Sequence, residues 1–151
     1  MPEAASQAAR AEWMSVLAKA DAGALAAAFD ALGLAPEFDW LRRPEIGAVM
    51  VQGRAGGTGA PFNLGEMTVT RCALKLADGR VGHAYVPGRD REKARIAALC
   101  DALMQGAEAD AVATAVLEPM RRAADDRRAR LARKAAATRV DFFTMVRGED
   151  K

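Results

Sequence analysis

Apolar positions fall into helical phase twice within the first 33 residues. Trp13, Val16, Leu17 and Ala20 recur at helical spacing, and Leu25, Ala28, Phe29 and Leu32 repeat the pattern. Asp21 sits where an N-cap for the second helix belongs and Gly33 where that helix should stop, so the spacing predicts a short helical hairpin. The period then drops to two. Residues 38–42 alternate and end before Pro44, residues 46–52 form another apolar run bounded by glycines, and residues 67–76 read as the longest strand. The apolar phase of that strand shifts near Thr70, which calls for a bulge or a twist. Asp78-Gly79 marks a tight turn, after which Val81, His83 and Tyr85 continue on alternate positions. Four antiparallel strands in a meander are the simplest reading. Helical spacing returns after Pro87-Gly88. Asp90 suits a cap, and Ile96, Leu99, Cys100 and Leu103 lie at i, i+3, i+4 and i+7. A shorter helix follows Gly106 as far as Glu118, and Pro119 suits the start of a last helix running to about Thr138.

The fold class expected is therefore α+β: an N-terminal helical hairpin, a four-stranded antiparallel sheet, and C-terminal helices with a docking tail. A length of 151 residues supports one domain, residues 1–138 with the last helix included, and a tail at 139–151. The apolar fraction of 51% builds a core, but aromatics at 5% are few and alanine supplies much of the count, which favours closely packed helices. No run of eighteen apolar residues spans a membrane, and the N-terminus lacks the basic and apolar regions of a secretory signal. Cys72 and Cys100, without CxxC spacing, then read as reduced thiols of a cytoplasmic protein.

Charge is unevenly placed. Between Met120 and Arg139 eight cations face only Asp125 and Asp126, so this stretch carries +6 while the remainder sits at −4 within an overall +2. A basic arm on a mildly acidic body bears on partners. Eight cations would make an electrostatic footprint for phosphates, yet no aromatics interleave for base stacking and no recognition motif accompanies them. A free-standing anion or nucleic-acid binding module using this helix is nonetheless the alternative function.

Chemistry-bearing constellations are sparse. Arg54, Gly56, Gly57, Thr58 and Gly59 form a loop whose successive backbone N–H groups could converge on an anion. The loop matches neither phosphate-binding fingerprint and leads into a strand, so a flexible hairpin connection explains it as well. Arg89, opening the third helix, offers either an anion contact or solvated charge beside a cap. His83 is the one histidine, and a zinc site would need both cysteines beside it plus a fourth ligand, for which no spacing exists. The only serines, Ser6 and Ser15, lie in the first helix outside any nucleophile-elbow context. Glu66 near Arg71 reads as a surface or interface ion pair. A small enzyme using Cys72 or His83 is the remaining competitor. No residue qualifies as catalytic and none as a metal ligand.

The tail is unusual for a chain end, where residues are typically small and polar. Phe142, Phe143, Met145 and Val146 stand between Asp141 and Arg147. Ordering a dozen residues costs roughly 1–2 kcal/mol each, while burying one such side chain returns about 1.5–3 kcal/mol. The segment needs a broad surface, either its own core or a partner's. Exposed, it would invite aggregation.

Several segments in order carry a family resemblance: AEWMSVLA from Ala11, GGTG from Gly56, GEMTVTRC from Gly65, GRD from Gly88, DALMQ from Asp101, and RVDFFTMVRG from Arg139. With these the chain resembles the PhnG family, the small subunit of the carbon–phosphorus lyase complex of bacterial phosphonate use. The resemblance implies a subunit that assembles with subunits H, I and J as a hetero-octamer with two copies of each. With H, I and the separate L protein, such a subunit supports replacement of adenine in MgATP by a phosphonate. It also implies that the iron–sulfur cluster with S-adenosylmethionine belongs to another subunit, that this chain binds no cofactor itself, and that it is accessory and inactive alone. Asp141, Phe142, Phe143, Met145 and Arg147 then become the expected partner contacts. Arg54, the glycine loop or Arg89 would at most lend a contact to the triphosphate.

Overall fold

A computed structural model describes residues 2–140, with side chains from residue 6 onward. The N-terminal hairpin forms as expected: α1 spans Pro2–Lys19 and α2 Ala22–Ala31. Asp21 accepts a hydrogen bond from the Ala24 N–H at 2.9 Å and caps α2. Gly33 ends it at φ +65, a conformation that favours glycine.

The sheet has three strands and not four. β1 (Phe38–Arg54), β2 (Pro61–Leu76) and β3 (Val81–Pro87) are antiparallel neighbours in that order. The two short strands expected on either side of Pro44 are one strand of 17 residues. Proline removes a donor, which ends a central strand but not an edge strand. β1 is an edge, and register shifts between Trp40 and Arg42 and between Arg42 and Glu45 absorb the irregular stretch. No shift occurs at Thr70. The bulge on β2 lies at Leu64, where two β2 steps face the single step from Val51 to Gln52. The changed phase near Thr70 has another cause: β2 there enters the body, and burial begins on both faces.

Helix α3 (Arg91–Leu103) is the centre of the molecule. Asp90 caps it through the Lys93 N–H at 2.8 Å. Ile96, Leu99, Cys100 and Leu103 are buried as the spacing predicts, and so are Ala94, Ala97, Ala98 and Ala102. Those alanines let a second layer reach the helix. β2 and β3 pack on one side; α1, α2 and the helical segment after residue 108 pack around the rest. Gly82 marks the tightest approach, since a Cβ there would lie 1.9 Å from the Ala98 carbonyl oxygen.

The last helices are continuous. α4 (Ala109–Val112) passes through one π turn, Ala113–Leu117, into α5 (Glu118–Ala137). Pro119 cannot donate to the preceding turn, and a π turn just before it accommodates the missing bond. Met120 is the one buried residue of α5, and residues 125–140 are exposed throughout. At 1.5 Å per residue α5 is about 30 Å long, so most of it stands clear of the body.

Candidate functional site

The most organised polar cluster centres on Asp101, fully buried in α3. Its carboxylate accepts from Arg10 Nε at 3.1 Å and Nη2 at 2.7 Å, from Trp13 Nε1 at 2.9 Å, and from the His83 N–H at 2.8 Å. Arg10 Nη2 and Gln105 Nε2 both donate to the Val81 carbonyl. One carboxylate thus ties α1, α3 and β3 together with every lone pair engaged. That is a structural clasp: the carboxylate's acceptor positions are all taken up within the fold. It joins the AEWMSVLA and DALMQ segments. The sequence held a signal for it, because Asp101 is the lone polar residue between Ile96 and Leu103.

A second clasp closes the other end. Arg80 donates to Asp78 at 2.7 Å, to Glu108 at 2.8 Å and to the carbonyls of Ala102 and Leu103, so the β2–β3 turn covers the carbonyl end of α3. Among the described residues no buried side-chain polar atom lacks a partner.

The reactive candidates are not brought together. Burial pushes the Cys72 thiol up to about 11, and burial with the nearby Asp101 charge pushes Cys100 up to about 12, so neither is a thiolate near neutrality. Cys72 Sγ donates to the Ala94 carbonyl at 3.2 Å. His83 is exposed on the opposite face of the sheet from the core. Among the described residues no three His, Cys, Asp or Glu side chains cluster as a metal site. An iron–sulfur cluster takes four thiolates, three with one site left open, or two thiolates with two histidines; the chain has two cysteines, both buried, and one histidine, so these residues do not fit one.

Nor do the anion candidates converge. The glycine loop is the tip of the β1–β2 hairpin, with Gly56 and Gly57 at positive φ and Arg54 Nη1 bonded across it to the Gly59 carbonyl at 3.2 Å. Arg89 is exposed at the foot of the part of that hairpin that runs past β3, where Gly88 meets Thr68. Seven residues of β2 separate tip from foot, about 23 Å. The expected pair of Glu66 with Arg71 is absent as well: Arg71 Nε and Arg42 Nη1 both donate to one oxygen of Glu45, each at 2.6 Å. Strand alternation puts Glu66 and Arg71 on opposite faces. The two guanidiniums hold the Glu45 carboxyl below the usual range.

What the fold does display is surface. One face of the sheet packs on α3; the other is open, with a depression of about 510 Å³ lined by Met14, Leu41, Arg42, Arg71, His83 and Tyr85. Glu45 neutralises one of the two arginines, so the depression keeps positive charge against apolar walls. β3 pairs with β2 only between Val69 and Lys75. Beyond that point β1 and β2 continue as a two-stranded arm. Met50 is 53% exposed along it, Phe62 45% and Leu64 67%, with Ile46 and Met67 also exposed. Phe62 lies over Gly53, its ring 3.5 Å from where a Cβ would be.

On α5, Arg121 pairs with Glu12 of α1 at 2.6 Å, Arg122 with Glu118, and Arg128 with Asp125 at 3.4 Å. The remaining basic side chains are exposed, and no aromatic residue lies between residues 118 and 140 to stack on a base. Among the described residues no helix is long and apolar enough to cross a membrane. Asp141, Phe142, Phe143, Met145 and Arg147 lie outside the described residues.

Residues 8–148 match the family described as phosphonate metabolism protein PhnG. The chain is also similar to a protein of Rhizobium meliloti (strain 1021) named alpha-D-ribose 1-methylphosphonate 5-triphosphate synthase subunit PhnG. The two are 50% identical over 141 residues, which cover 93% of this chain and 90% of the relative.

Proposed function

This chain belongs to the PhnG family of phosphonate metabolism proteins, and from that premise we propose that it works as an accessory subunit of a ribose 1-methylphosphonate 5-triphosphate synthase. Other subunits supply the reacting groups. The observation that carries this reading is the two-stranded arm: a domain that keeps Met50, Phe62, Leu64 and Met67 in water does so for a partner. The inward-facing chemistry agrees. Asp101, the one fully buried carboxylate among the described residues, is spent on holding α1 to α3 and β3.

The companions are the H, I and J subunits with two copies of each, and the L protein acts beside them. MgATP is handled by the assembly, and the iron–sulfur cluster with S-adenosylmethionine sits in another subunit. The arm supplies one contact and the C-terminal segment, with Phe142, Phe143 and Met145 as anchors and Arg147 at the rim, supplies another. A standard interface buries about 800 Å² per partner, more than either segment offers alone.

Co-purification tests the reading. A tagged chain from cells grown on methylphosphonate as sole phosphorus source is expected to bring the larger synthase subunits with it. Phe142→Ala with Phe143→Ala should leave a domain that expresses and melts as the parent does but has lost those companions. If that double variant unfolds on its own, the segment closes its own core and is no docking tail.

A further inference from the structure

We propose that a companion subunit adds an extended strand to the free edge of β2 at residues 61–68, turning the two-stranded arm into a three-stranded one; this rests on the subunit reading above. The slot is built by the topology. On its β3 side, β2 is last engaged where the Gly88 N–H donates to the Thr68 carbonyl at 2.9 Å. Pro87 and Gly88, the latter at φ +88, then carry the chain away into α3. From Thr68 toward the tip no described strand lies beside β2 on that side.

The backbone faces the right way. In a strand a residue's N–H and C=O point to the same side, and every second residue repeats the direction. Since the Thr68 carbonyl points into the slot, Glu66 directs both its main-chain groups there, and the bulge at Leu64 ends the regular run. Residues 61–68 span seven steps, about 23 Å, of which residues 65–68 form the regular stretch that an added strand meets first.

Edge protection is concentrated elsewhere and lighter here, where Pro61, Glu66 and the bulge at Leu64 are all that the slot carries. Where β1 borders the body, Arg42, Arg43, Pro44 and two register shifts blunt its outer edge, the usual means of preventing unwanted pairing. From residue 46 to residue 68, 23 residues in all, the only charges are Arg54 and Glu66. An isolated two-stranded hairpin is marginal in water, so the arm gains from a third strand.

These features set the occupant's chemistry: an extended, proline-free, uncharged polypeptide segment whose alternate apolar side chains lie beside Phe62, Leu64 and Met67. One arginine at the tip gives no track for a phosphate backbone. A second copy pairing with itself about Glu66, the residue whose main-chain groups face the slot, would set the two Glu66 carboxylates directly opposite each other, which is unfavourable.

Two measurements on the assembled, tag-purified complex decide the matter. Amide hydrogen exchange should show the Glu66 N–H slowed at least tenfold in the complex relative to the lone chain. Glu66→Pro deletes that outward donor without touching the β1–β2 ladder, and should cut retained companions tenfold or more, while Glu66→Ala stays within twofold of the parent. If exchange at Glu66 is unchanged and both variants retain companions alike, strand addition is wrong although the subunit reading stands. If the parent chain retains no companions, the subunit reading fails and this proposal fails with it. A lone chain that is dimeric until Glu66→Pro splits it would make the occupant a second copy and overturn the proposal. Should Glu66→Pro melt the lone domain, hydrogen exchange on the parent complex decides by itself, slowed exchange supporting strand addition and unchanged exchange overturning it.

Discussion

Asp101 shows how one residue can set the arrangement of three elements. Its carboxylate is fully buried, whereas its partner Arg10 keeps a third of its side chain in water. Removing one member of a buried pair leaves donors without acceptors, and the cost is far above that of a surface pair. Asp101→Asn turns an amide toward Arg10, Trp13 and the His83 N–H, and is expected to cost about 3 kcal/mol. For a chain of this size that lowers the melting temperature by about 6–12 °C. Glu12→Gln, which breaks the exposed pair with Arg121, should cost under about 1 kcal/mol. Thermal melts of the two variants side by side measure the difference; equal shifts would mean that the Asp101 cluster is not a clasp. The sequence displayed this acid inside an apolar run, but its partners at residues 10, 13 and 83 are set by chain packing and not by spacing.

At the level of elements, helix placement followed from phase and caps. Asp21, Gly33 and Asp90 each act where the pattern put them, because a cap is local chemistry within one turn. Strand count did not follow. Pro44 reads as a terminator unless the strand is known to be an edge, and being an edge is a property of the sheet. The closeness of α3 to β3 was also beyond local reading. Gly82→Ala would drive a Cβ to 1.9 Å from the Ala98 carbonyl oxygen, a backbone atom that cannot swing aside. Overpacking of that kind costs about 1–3 kcal/mol, so urea titration should show a lower midpoint with an unchanged slope. Gly65, with open space where its Cβ would go, serves as the control for substitution within the same sheet.

For the whole molecule, titrating groups frame a pH range of stability. Glu12, Glu45, Glu92 and Glu108 are held below their ordinary value of 4.5, chiefly by arginine side-chain hydrogen bonds, and Asp78 below 3.8, chiefly by the Arg80 N–H. As pH falls the unfolded chain takes up protons first, so the stability these groups give is complete above about 4.5 and drains away below it. The thiols set the opposite limit. Unfolded cysteines ionise near 9.0 while Cys72 and Cys100 stay protonated to about 11 and 12, so stability should decline as pH rises past 9.0. Denaturant midpoints across pH 3–11 are expected to be flat in the middle and to fall at both ends. Cys72→Ala with Cys100→Ala should remove the thiols' share of the alkaline fall and leave the acid one. A variant whose alkaline limb matched the parent's would show that the thiols do not set it.

Read alone, the chain determined its class, the caps and phases of its helices, the buried face of α3 and its family. These rest on residue type and short-range spacing, which the backbone converts directly into local shape. Only the tertiary structure decided that β1 is one edge strand running through Pro44, that Asp101 gathers Arg10 and Trp13 across some 90 residues, and that β2 runs past β3 to leave an open edge. Each of these depends on which elements end up side by side. That choice is made by the burial of α3 between the sheet and the remaining helices, a global balance that no single segment encodes.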